Sequence, residues 1–422
     1  MINFEYPGAW RALSLATLAF AANFSVWTLY AVIGLELRES LELNATQLGL
    51  FFSAPVLTGA LGRIPAGWLS EKYNPKTVFV WQMLLSAPPL FFLPYVDSLL
   101  GYIWLGFWIG ISGTSFTIGI RYVTDWFESK RQGTAMGIFG AGNTGSAITL
   151  MLAPFIVEHW GWDSIGPIYG IGLLLVAFLF MLFAPSRSFT ASAPPGRLTL
   201  LQALKQGQIW RFGLYYYFVF GSFLALILWL PQYYASAYQL NYAQAMAFTL
   251  FFVATSSMVR ALGGWFADRY GGRSVNWTVF WVCIICLFFL SYPPTTMTIH
   301  GIKQDVQFSI EINVWVFSAL IFIIGIAQGF GRASVYKTIH DYYPQQMGLV
   351  GGIVAAMGAL GGCTLPIAFG IAVDFFGFYS ACFMVLYAVL ACCMMVMFLA
   401  LKEDRFQKRI IEATKDNFLE RD

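Results

Sequence analysis

Two stretches of this sequence decide its fold: residues 56–78, VLTGALGRIPAGWLSEKYNPKTV, and residues 253–275, VATSSMVRALGGWFADRYGGRSV. They align at a constant offset of 253 − 56 = 197 positions, which places Arg63 on Arg260 and Lys76 on Arg273. Each copy holds one arginine inside an apolar run, followed by a charged turn. The chain therefore contains two copies of one structural unit, each with a matched arginine.

The composition is that of a membrane protein. The chain has 422 residues, of which 58% are hydrophobic and 11% charged, and its mean hydropathy is +0.67. A soluble domain is nearer one quarter charged. The first apolar run begins near Trp10; it is too long for the core of a secretory signal and lacks a basic segment before it. All six cysteines lie in predicted spans, and the C-x-x-C of Cys283 and Cys286 is interpreted as packing.

We predict an all-α polytopic membrane protein with about twelve transmembrane helices, because apolar runs of about 20 residues recur along the chain. The longest polar connection separates two halves of six helices. Since the repeat places the second helix on the eighth, the halves are parallel copies. The predicted organisation is an N-terminal six-helix bundle (1–184), a cytoplasmic linker (185–208), a C-terminal six-helix bundle (209–401) and a helical cytoplasmic tail (402–422). The predicted spans are 10–36, 45–69, 77–96, 98–124, 132–157, 164–184, 209–234, 243–267, 275–292, 312–338, 347–372 and 377–401.

The basic residues set the predicted orientation. Of the 24 Lys and Arg, two lie outside and four lie within spans when the N-terminus is placed inside, so 18 lie at cytoplasmic span ends, loops or termini. We therefore expect a multi-pass protein of the inner (cytoplasmic) membrane with both termini in the cytoplasm. The two outside residues are Arg38 and Lys303, and the four within spans are Arg63, Arg121, Arg260 and Arg332.

Arg63 and Arg260 are the main functional clue. Arginine stays protonated in proteins, and placing one at the centre of a membrane helix costs about 2.5–3.5 kcal/mol. Two structural explanations compete with a binding site: an ion pair with a buried acid, and snorkelling of the side chain to the cytoplasmic surface. The 21 Asp and Glu residues fall at span ends, in loops or in the tail, with Glu36 nearest to an interior position. The sequence therefore favours an anion site over both.

Small residues flank each arginine on one helix face. Gly59 and Gly67 lie four positions either side of Arg63, and Ser256 and Gly264 flank Arg260 in the same way. We expect them to leave room for a ligand beside each guanidinium, whose planar fork suits a planar oxyanion. Two forks from opposite halves would clamp one small anion near the two-fold axis. The lack of interior carboxylates argues against a cation or amine substrate.

Two later helices are rich in glycine. The fifth reads RQGTAMGIFGAGNTGSAITLMLAP and the eleventh QQMGLVGGIVAAMGALGGCTLP. Small residues at four-residue spacing are typical of close helix packing in membranes, but glycine at this density costs helix stability and needs a further reason. Contact between substrate and backbone, or sliding of the helices, would supply one. Asn143, the one side-chain amide between Gly133 and Pro154 of the fifth run, either donates to an anion or forms an interhelical hydrogen bond.

These features resemble the nitrate/nitrite porter family of the major facilitator superfamily over nearly the whole chain. The run GIFGAGNTG at 137–145 is similar to the family's first nitrate motif, and residues 351–362 are similar to the second. Arg63 and Arg260 match the family's two substrate arginines, and Asn143 matches its substrate-side asparagine. The resemblance implies the two-half facilitator fold, transport of nitrate or nitrite by alternating access, and no cofactor.

The same resemblance implies roles for further residues. Phe116 corresponds to the span-four aromatic that packs on the anion, Tyr216 to the span-seven tyrosine and Tyr336 to the span-ten aromatic. The charged turns after the arginines resemble the superfamily's loop motif, whose acids, here Glu71 and Asp268, help to latch the cytoplasmic side. The glycines of the two motif helices are Gly137, Gly140, Gly142, Gly145, Gly358, Gly361 and Gly362.

One position departs from the family pattern. Where many members carry Asn-Gly in span ten, this chain has Arg332-Ala333, a third cation deep in a span. A basic residue there resembles the nitrate–proton symport branch more than the nitrate–nitrite exchange branch, so we predict Arg332 as a coupling residue and nitrate uptake with protons. A nitrate/nitrite antiporter remains the alternative. The predicted spans contain no interior acid to carry a proton, and the three histidines lie at loops.

Two other classes of function remain open at this point. One is a facilitator for another small or organic anion on the same fold, and the other is a transport-inactive sensor or a membrane enzyme. The sequence contains no motif for metal, nucleotide or nucleophile chemistry, so we expect a carrier rather than an enzyme. The expected partners are a small inorganic anion, protons and the lipid bilayer, with no nucleic acid and no metal, and we expect the monomer to be functional.

Overall fold

The computed structural model describes residues 7–127, 129–187, 200–300, 304–344 and 346–419. In these ranges eleven helical stretches are long and apolar enough to cross a membrane, and a bent pair of helices supplies a twelfth span. The predicted all-α polytopic fold is thereby confirmed. The spans, numbered one to twelve, are Ala9–Ser40, Ala45–Lys72, Pro75–Tyr95, Leu99–Thr124, Ala135–Trp160, Trp162–Phe183, Gly207–Tyr238, the pair Tyr242–Met258 and Leu262–Tyr270, Gly272–Leu290, Val314–Tyr342, Leu349–Phe376 and Ala381–Glu403.

Spans two and eight begin with the same cap. Asn44 accepts a hydrogen bond from the Gln47 amide at 2.8 Å, and the Gln47 side chain accepts one from the Asn44 amide at 3.0 Å. Asn241 and Gln244 form the same reciprocal pair at 2.9 and 3.2 Å. Such a capping box pairs amides that the first helical turn leaves without partners. Asn44 and Asn241 are 197 positions apart, so the repeat extends upstream to the start of each span.

Each of these two spans also breaks beside its arginine. In span two the helix Ala45–Leu61 ends and Arg63–Lys72 begins, and in span eight Tyr242–Met258 is followed by Arg260–Tyr270. The axis of span eight bends by 45° across this break. Broken membrane helices persist where the irregular backbone is buried in protein or lines a cavity. Both arginines are therefore the first residue of the inner segment of a broken helix.

Three further irregular turns adjoin predicted site residues. A 3₁₀ turn, Gly110–Thr114, precedes Phe116 in span four, and a second, Ala141–Thr144, contains Asn143 in span five. In span seven a π-helical segment, Tyr217–Ser222, follows Tyr216 directly. Non-α turns inside long helices often mark functional positions.

The two halves meet along two symmetric helix pairs. Span two of the first half packs along span eleven of the second half. The equivalent pair in the repeat is span eight of the second half, which packs along span five of the first. We call the face where span one begins and span twelve ends the termini face, and the opposite face the distal face. Spans two and eight run from the distal face towards the termini face, which places each arginine in the half of its span nearer the termini face.

A carboxylate joins the halves at the distal face. Asp374, near the end of span eleven, accepts hydrogen bonds from the backbone amides of Ala45 and Thr46 at 3.1 and 2.8 Å and from the Thr46 hydroxyl at 2.5 Å. These amides are the unpaired first-turn donors of span two, and the positive end of the helix dipole lies beside them. Asp374 therefore caps a helix of the opposite half.

Other contacts between the halves close the same face. Arg38 donates to the Ser236 hydroxyl at 2.6 Å, and the Tyr242 hydroxyl donates to the Val32 carbonyl at 3.2 Å. Deeper between spans two and eleven, the Ser53 hydroxyl donates to the main-chain oxygen of Cys363. The halves are thus held together on the distal side of the arginines.

Three features lie outside the predicted spans. The strands Thr295–Ile299 and Val306–Ile310 pair as an antiparallel hairpin between spans nine and ten, with Thr295 opposite Ile310. This hairpin is absent from the predicted fold. The last helix runs without interruption over Ala381–Leu419, so the helical tail continues span twelve. Of the linker, residues 188–199 lie outside the described ranges, and Leu200–Leu204 forms a short helix before span seven.

Candidate functional site

Arg63 reaches across to the other half of the molecule. Its side chain is 4% exposed, and its Nη1 donates to the Ala355 carbonyl of span eleven at 2.8 Å. Its Nε lies 3.4 Å from the Gly113 carbonyl of span four. Because the guanidinium is buried and bonded inside the bundle, Arg63 does not snorkel to the surface.

Aromatic rings surround the Arg63 guanidinium. Its Cζ lies 5.4 Å from the ring centre of Trp27, 5.6 Å from Phe116 and 5.7 Å from Phe220. Trp27 and Phe116 come from the same half as Arg63, whereas Phe220 belongs to span seven of the other half. A cation at this distance from ring faces is stabilised by their negative quadrupoles, which replaces part of the hydration that burial removes.

Arg260 makes the corresponding approach in the opposite direction. A Cβ built on Gly140 of span five would lie 3.2 Å from Arg260 Nη1 and 3.3 Å from its Cζ. Arg260 therefore packs on the first glycine motif, while Arg63 bonds to Ala355 within the second. Each arginine contacts the glycine-rich helix of the half to which it does not belong.

No carboxylate neutralises these charges within the described part of the chain. The ion pairs formed there involve neither Arg63 nor Arg260 nor Arg332. The ion-pair explanation for the two arginines therefore receives no support from those residues. A small anion would supply the missing countercharge.

The predicted aromatic residues form one continuous cluster with Arg63. Tyr216 is 1% exposed and stacks on Phe220 with ring centres 5.2 Å apart. Tyr336 meets Tyr216 edge-on at 5.2 Å, and its hydroxyl donates to the Gly351 carbonyl at 3.2 Å. The cluster thus runs from Phe116 through the Arg63 guanidinium to Phe220, Tyr216 and Tyr336, and it crosses between the halves.

Asn143 offers a buried donor. Its side chain is 2% exposed, and its amide nitrogen has no hydrogen-bond partner among the described residues. Its 3₁₀ turn, Ala141–Thr144, packs against span one and against span eight, which carries Arg260. An unpaired buried N–H group costs about 1–3 kcal/mol. Of the two interpretations of Asn143, donation to a bound anion accounts for this orphaned nitrogen.

Most motif glycines allow close helix packing. Added Cβ atoms on Gly142 and Gly145 would collide with span one, and those on Gly358, Gly361 and Gly362 would collide with span seven. Gly137 has open space around it, and Gly140 faces Arg260. Packing therefore explains five of the seven glycines, whereas Gly140 adjoins the site directly.

The space expected beside the arginines is partly filled by protein. A Cβ on Gly59 would meet the Trp27 indole, whose Nε1 donates to the Pro55 carbonyl at 2.9 Å. Ser256 accepts hydrogen bonds from Arg332 through its carbonyl and its hydroxyl. The small residues at these two positions therefore accommodate protein side chains and leave no room for a ligand.

Arg332 lies inside the C-terminal half. It is fully buried, and its Nη2 donates to both the main-chain oxygen and the hydroxyl of Ser256 at 2.6 and 2.7 Å. Its Cζ lies 3.8 Å from the ring centre of Phe223, and its Nη1 has no partner among the described residues. Since Ser256 lies four residues before Arg260 in span eight, Arg332 connects span ten to the span that carries a predicted substrate arginine.

The acids of the charged turns lie near the termini face. Asp268 is 3.5 Å from Lys337, which also pairs with Asp341 at 2.9 Å, and Glu71 is exposed. The Asp268–Lys337 pair joins spans eight and ten of one half and does not join the two halves. The Lys337 side chain is thus paired with two acids of its own half.

Three parts of the site were missed in the sequence. Trp27 and Phe220 are ordinary aromatics in a chain that is 18% Phe, Trp and Tyr, so nothing in the sequence distinguishes them. The Ala355 acceptor is a main-chain carbonyl and carries no residue-specific signal. Gly59 was the one available hint, because it marks the position where Trp27 needs space.

Comparison with known proteins gives consistent matches. Residues 15–302 and 306–420 match the model of the Major Facilitator Superfamily. A Thermus thermophilus protein named "Probable nitrate/nitrite antiporter NarK1" is 33% identical over 402 residues, which cover 92% of this chain and 90% of that protein. The Bacillus subtilis "Nitrite extrusion protein" is 30% identical over 375 residues, covering 89% and 90%.

The fold has counterparts among solved structures. The bacterial homologue of the human lysosomal transporter Spinster, in its inward-facing and occupied conformation, superposes with a TM-score of 0.71 at 16% sequence identity. The match covers 94% of this chain and 98% of that one.

Proposed function

We propose that this chain, which belongs to the nitrate/nitrite porter family of the major facilitator superfamily, carries nitrate and nitrite across the membrane that its helices span. The observation that carries the proposal is the reciprocal reach of Arg63 and Arg260. Each comes from one half and contacts the glycine motif of the other. A carrier needs its substrate site at such a boundary, because the site must be exposed to either side in turn.

The anion binds between the two guanidinium groups. A guanidinium has five N–H donors, and Arg63 uses one on Ala355 at 2.8 Å and one, weakly, on Gly113 at 3.4 Å. The remaining donors face the substrate. Asn143 adds the amide nitrogen that has no protein partner among the described residues.

The aromatic cluster fits a planar anion. Nitrate and nitrite are flat, so they stack between ring faces while their oxygens accept in-plane hydrogen bonds from guanidinium forks. Phe116 and Tyr336 form the two walls, and Tyr216 flanks the anion. A tetrahedral anion such as sulfate or phosphate has no flat face for these walls, which favours nitrate and nitrite over it.

Binding couples to movement of the halves through charge. Two guanidiniums drawn together across the boundary repel each other, and a bound monoanion offsets that repulsion. The anion therefore favours the state in which both arginines close on it. The distal face, closed by Asp374 and its neighbours, is the side that opens when the halves rock apart.

The distal face is the outer face of the inner membrane in this proposal. The excess of Lys and Arg at the termini face supports a cytoplasmic position for both termini. Because the site is made by the two halves of one chain, a monomer suffices for transport.

The presence of Arg332 favours coupling of nitrate transport to protons. Importing a univalent anion against an inside-negative potential costs about 2.3 kcal/mol per 100 mV, so net nitrate uptake needs more than one proton per anion. Exchange of nitrate for nitrite moves no net charge and is the second candidate. The name of the Thermus relative, an antiporter, favours exchange.

The test is nitrate uptake into proteoliposomes. With an imposed inward proton gradient and no internal nitrite, symport gives accumulation of nitrate. If uptake instead requires internal nitrite, the carrier is an exchanger and the role given to Arg332 is wrong. If neither condition gives uptake while another small anion competes for binding, the substrate assignment itself fails.

A further inference from the structure

A cavity at the termini face lies away from the substrate site. It is a small cavity, partly open to solvent, and it is lined by the ends of spans seven, nine, ten and twelve, all in the C-terminal half. Arg211 of span seven and Arg273 of span nine both line it, and the ten lining residues include no Asp or Glu.

The polar side of the cavity is built to face an anion. The Arg273 guanidinium donates to the Tyr342 hydroxyl, which fixes its position. Asn276 also lines the cavity; it is 2% exposed, and its side-chain oxygen accepts a hydrogen bond from Ser334 at 2.8 Å. The Thr338 hydroxyl is also part of the lining, but its hydrogen is donated to the Ser334 carbonyl at 2.9 Å. Two guanidiniums and an amide together form a donor set for an oxyanion.

The other side of the cavity is apolar. It is formed by Met397, Ala400 and Leu401 of span twelve. On the same span Met395, Phe398 and Leu399 are more than half exposed, as expected of a helix that borders lipid. A ligand here would meet donors on one side and hydrocarbon on the other.

We propose that this cavity binds the headgroup of an anionic phospholipid of the leaflet at the termini face. The phosphodiester lies between Arg211 and Arg273, and an acyl chain runs along span twelve past Met397. Basic pockets between transmembrane helices on the cytoplasmic side suit such headgroups. Free phosphate shares the oxyanion chemistry but gains nothing from the apolar wall, which is why the lipid is favoured. The site is separate from the arginines that bind the substrate.

The test counts lipids bound to the purified full-length protein by native mass spectrometry. Phosphatidylglycerol is titrated in one series, phosphatidylcholine in a second and inorganic phosphate in a third. We expect saturable binding of one phosphatidylglycerol. We expect the double variant Arg211→Gln/Arg273→Gln to weaken it about 30-fold, from about 1 kcal/mol for each basic residue near a membrane surface. Arg211→Lys/Arg273→Lys keeps both charges and should retain most of the affinity.

A matched control removes two charges at the same face. Lys72 and Arg269 are repeat equivalents, and each lies over a tryptophan ring, at 4.8 and 5.5 Å. Lys72→Gln/Arg269→Gln should leave phosphatidylglycerol binding unchanged. Equal weakening in both glutamine double variants would overturn the proposal, since it would show a diffuse charge effect. Equal binding of phosphatidylcholine, or displacement of the lipid by inorganic phosphate alone, would also overturn it.

Discussion

Removing the Asp374 carboxylate should loosen the closed distal face. Asp374 accepts three hydrogen bonds from Ala45 and Thr46, at 2.5–3.1 Å, and it thereby caps a helix of the opposite half with a charged side chain. In Asp374→Ala the donors of Ala45 and Thr46 form hydrogen bonds to water when the distal face is closed. When the halves separate, the donors are exposed to water in both proteins. The substitution therefore destabilises only the closed arrangement.

The magnitude follows from the type of contact. Loss of a helix-capping side chain costs about 0.5–2 kcal/mol, and loss of an anion at a helix N-terminus costs about 0.3–1 kcal/mol. Asp374 is exposed, so water screens its charge and values in the lower half of each range apply. A total of about 1–2 kcal/mol shifts the population of the open distal state by about 5- to 30-fold.

Cys363 provides the assay. It is 5% exposed, and its carbonyl is bonded to Ser53 in the boundary between spans two and eleven. In a protein that retains only this cysteine, a membrane-impermeant maleimide applied from outside should label Cys363 about 5- to 30-fold faster in Asp374→Ala. Asp305→Ala, which removes an exposed acid of the distal hairpin paired with His300, is the control. Equal labelling rates in both variants would refute the conclusion that Asp374 holds the distal face closed.

Three further outcomes are expected. Arg63→Lys keeps the charge but loses the planar fork, so nitrate affinity should fall about 10- to 100-fold and uptake in proteoliposomes should be abolished; near-normal uptake would contradict the clamp. Asn143→Asp is nearly isosteric but places a carboxylate beside the anion, so the variant should remain folded but no longer bind nitrate. Isothermal titration calorimetry would measure this loss. Gly358→Ala pushes a methyl group into the Tyr216 ring, so it should destabilise the protein by about 1–3 kcal/mol and lower its melting temperature. Gly352→Ala, where a Cβ meets nothing within 4 Å, should melt at or slightly above the temperature of the parent because alanine favours the helix; equal shifts in the two variants would argue against this packing.

The spans and the two arginines were predictable because their signals are local. A run of about 20 apolar residues must be buried in a membrane or in a protein core. A charged residue within such a run is conspicuous in the sequence. The offset between Arg63 and Arg260 then gave the two-half organisation. Even the caps at Asn44 and Asn241 obey the same offset, so more of the repeat was readable than residues 56–78 alone suggest.

The partners of those arginines were not predictable, because they depend on how helices of different halves meet. Gly59 looked like space for a ligand, yet the structure fills that space with Trp27. Ser256 looked equivalent to Gly59, yet it is held by Arg332. In each case a small residue predicts that something comes close, but the identity of that neighbour is decided by packing between spans far apart in sequence.

The hydrogen bond from Arg63 to the Ala355 carbonyl has a genetic consequence. Its acceptor is main chain, which every amino acid at position 355 supplies, so no single substitution there deletes it. Mutations that break this link by removing a partner can arise only at codon 63. A screen for loss of transport should therefore recover many alleles at Arg63, and those in span eleven should cluster where side-chain bulk displaces the helix, as at Gly358, rather than at Ala355.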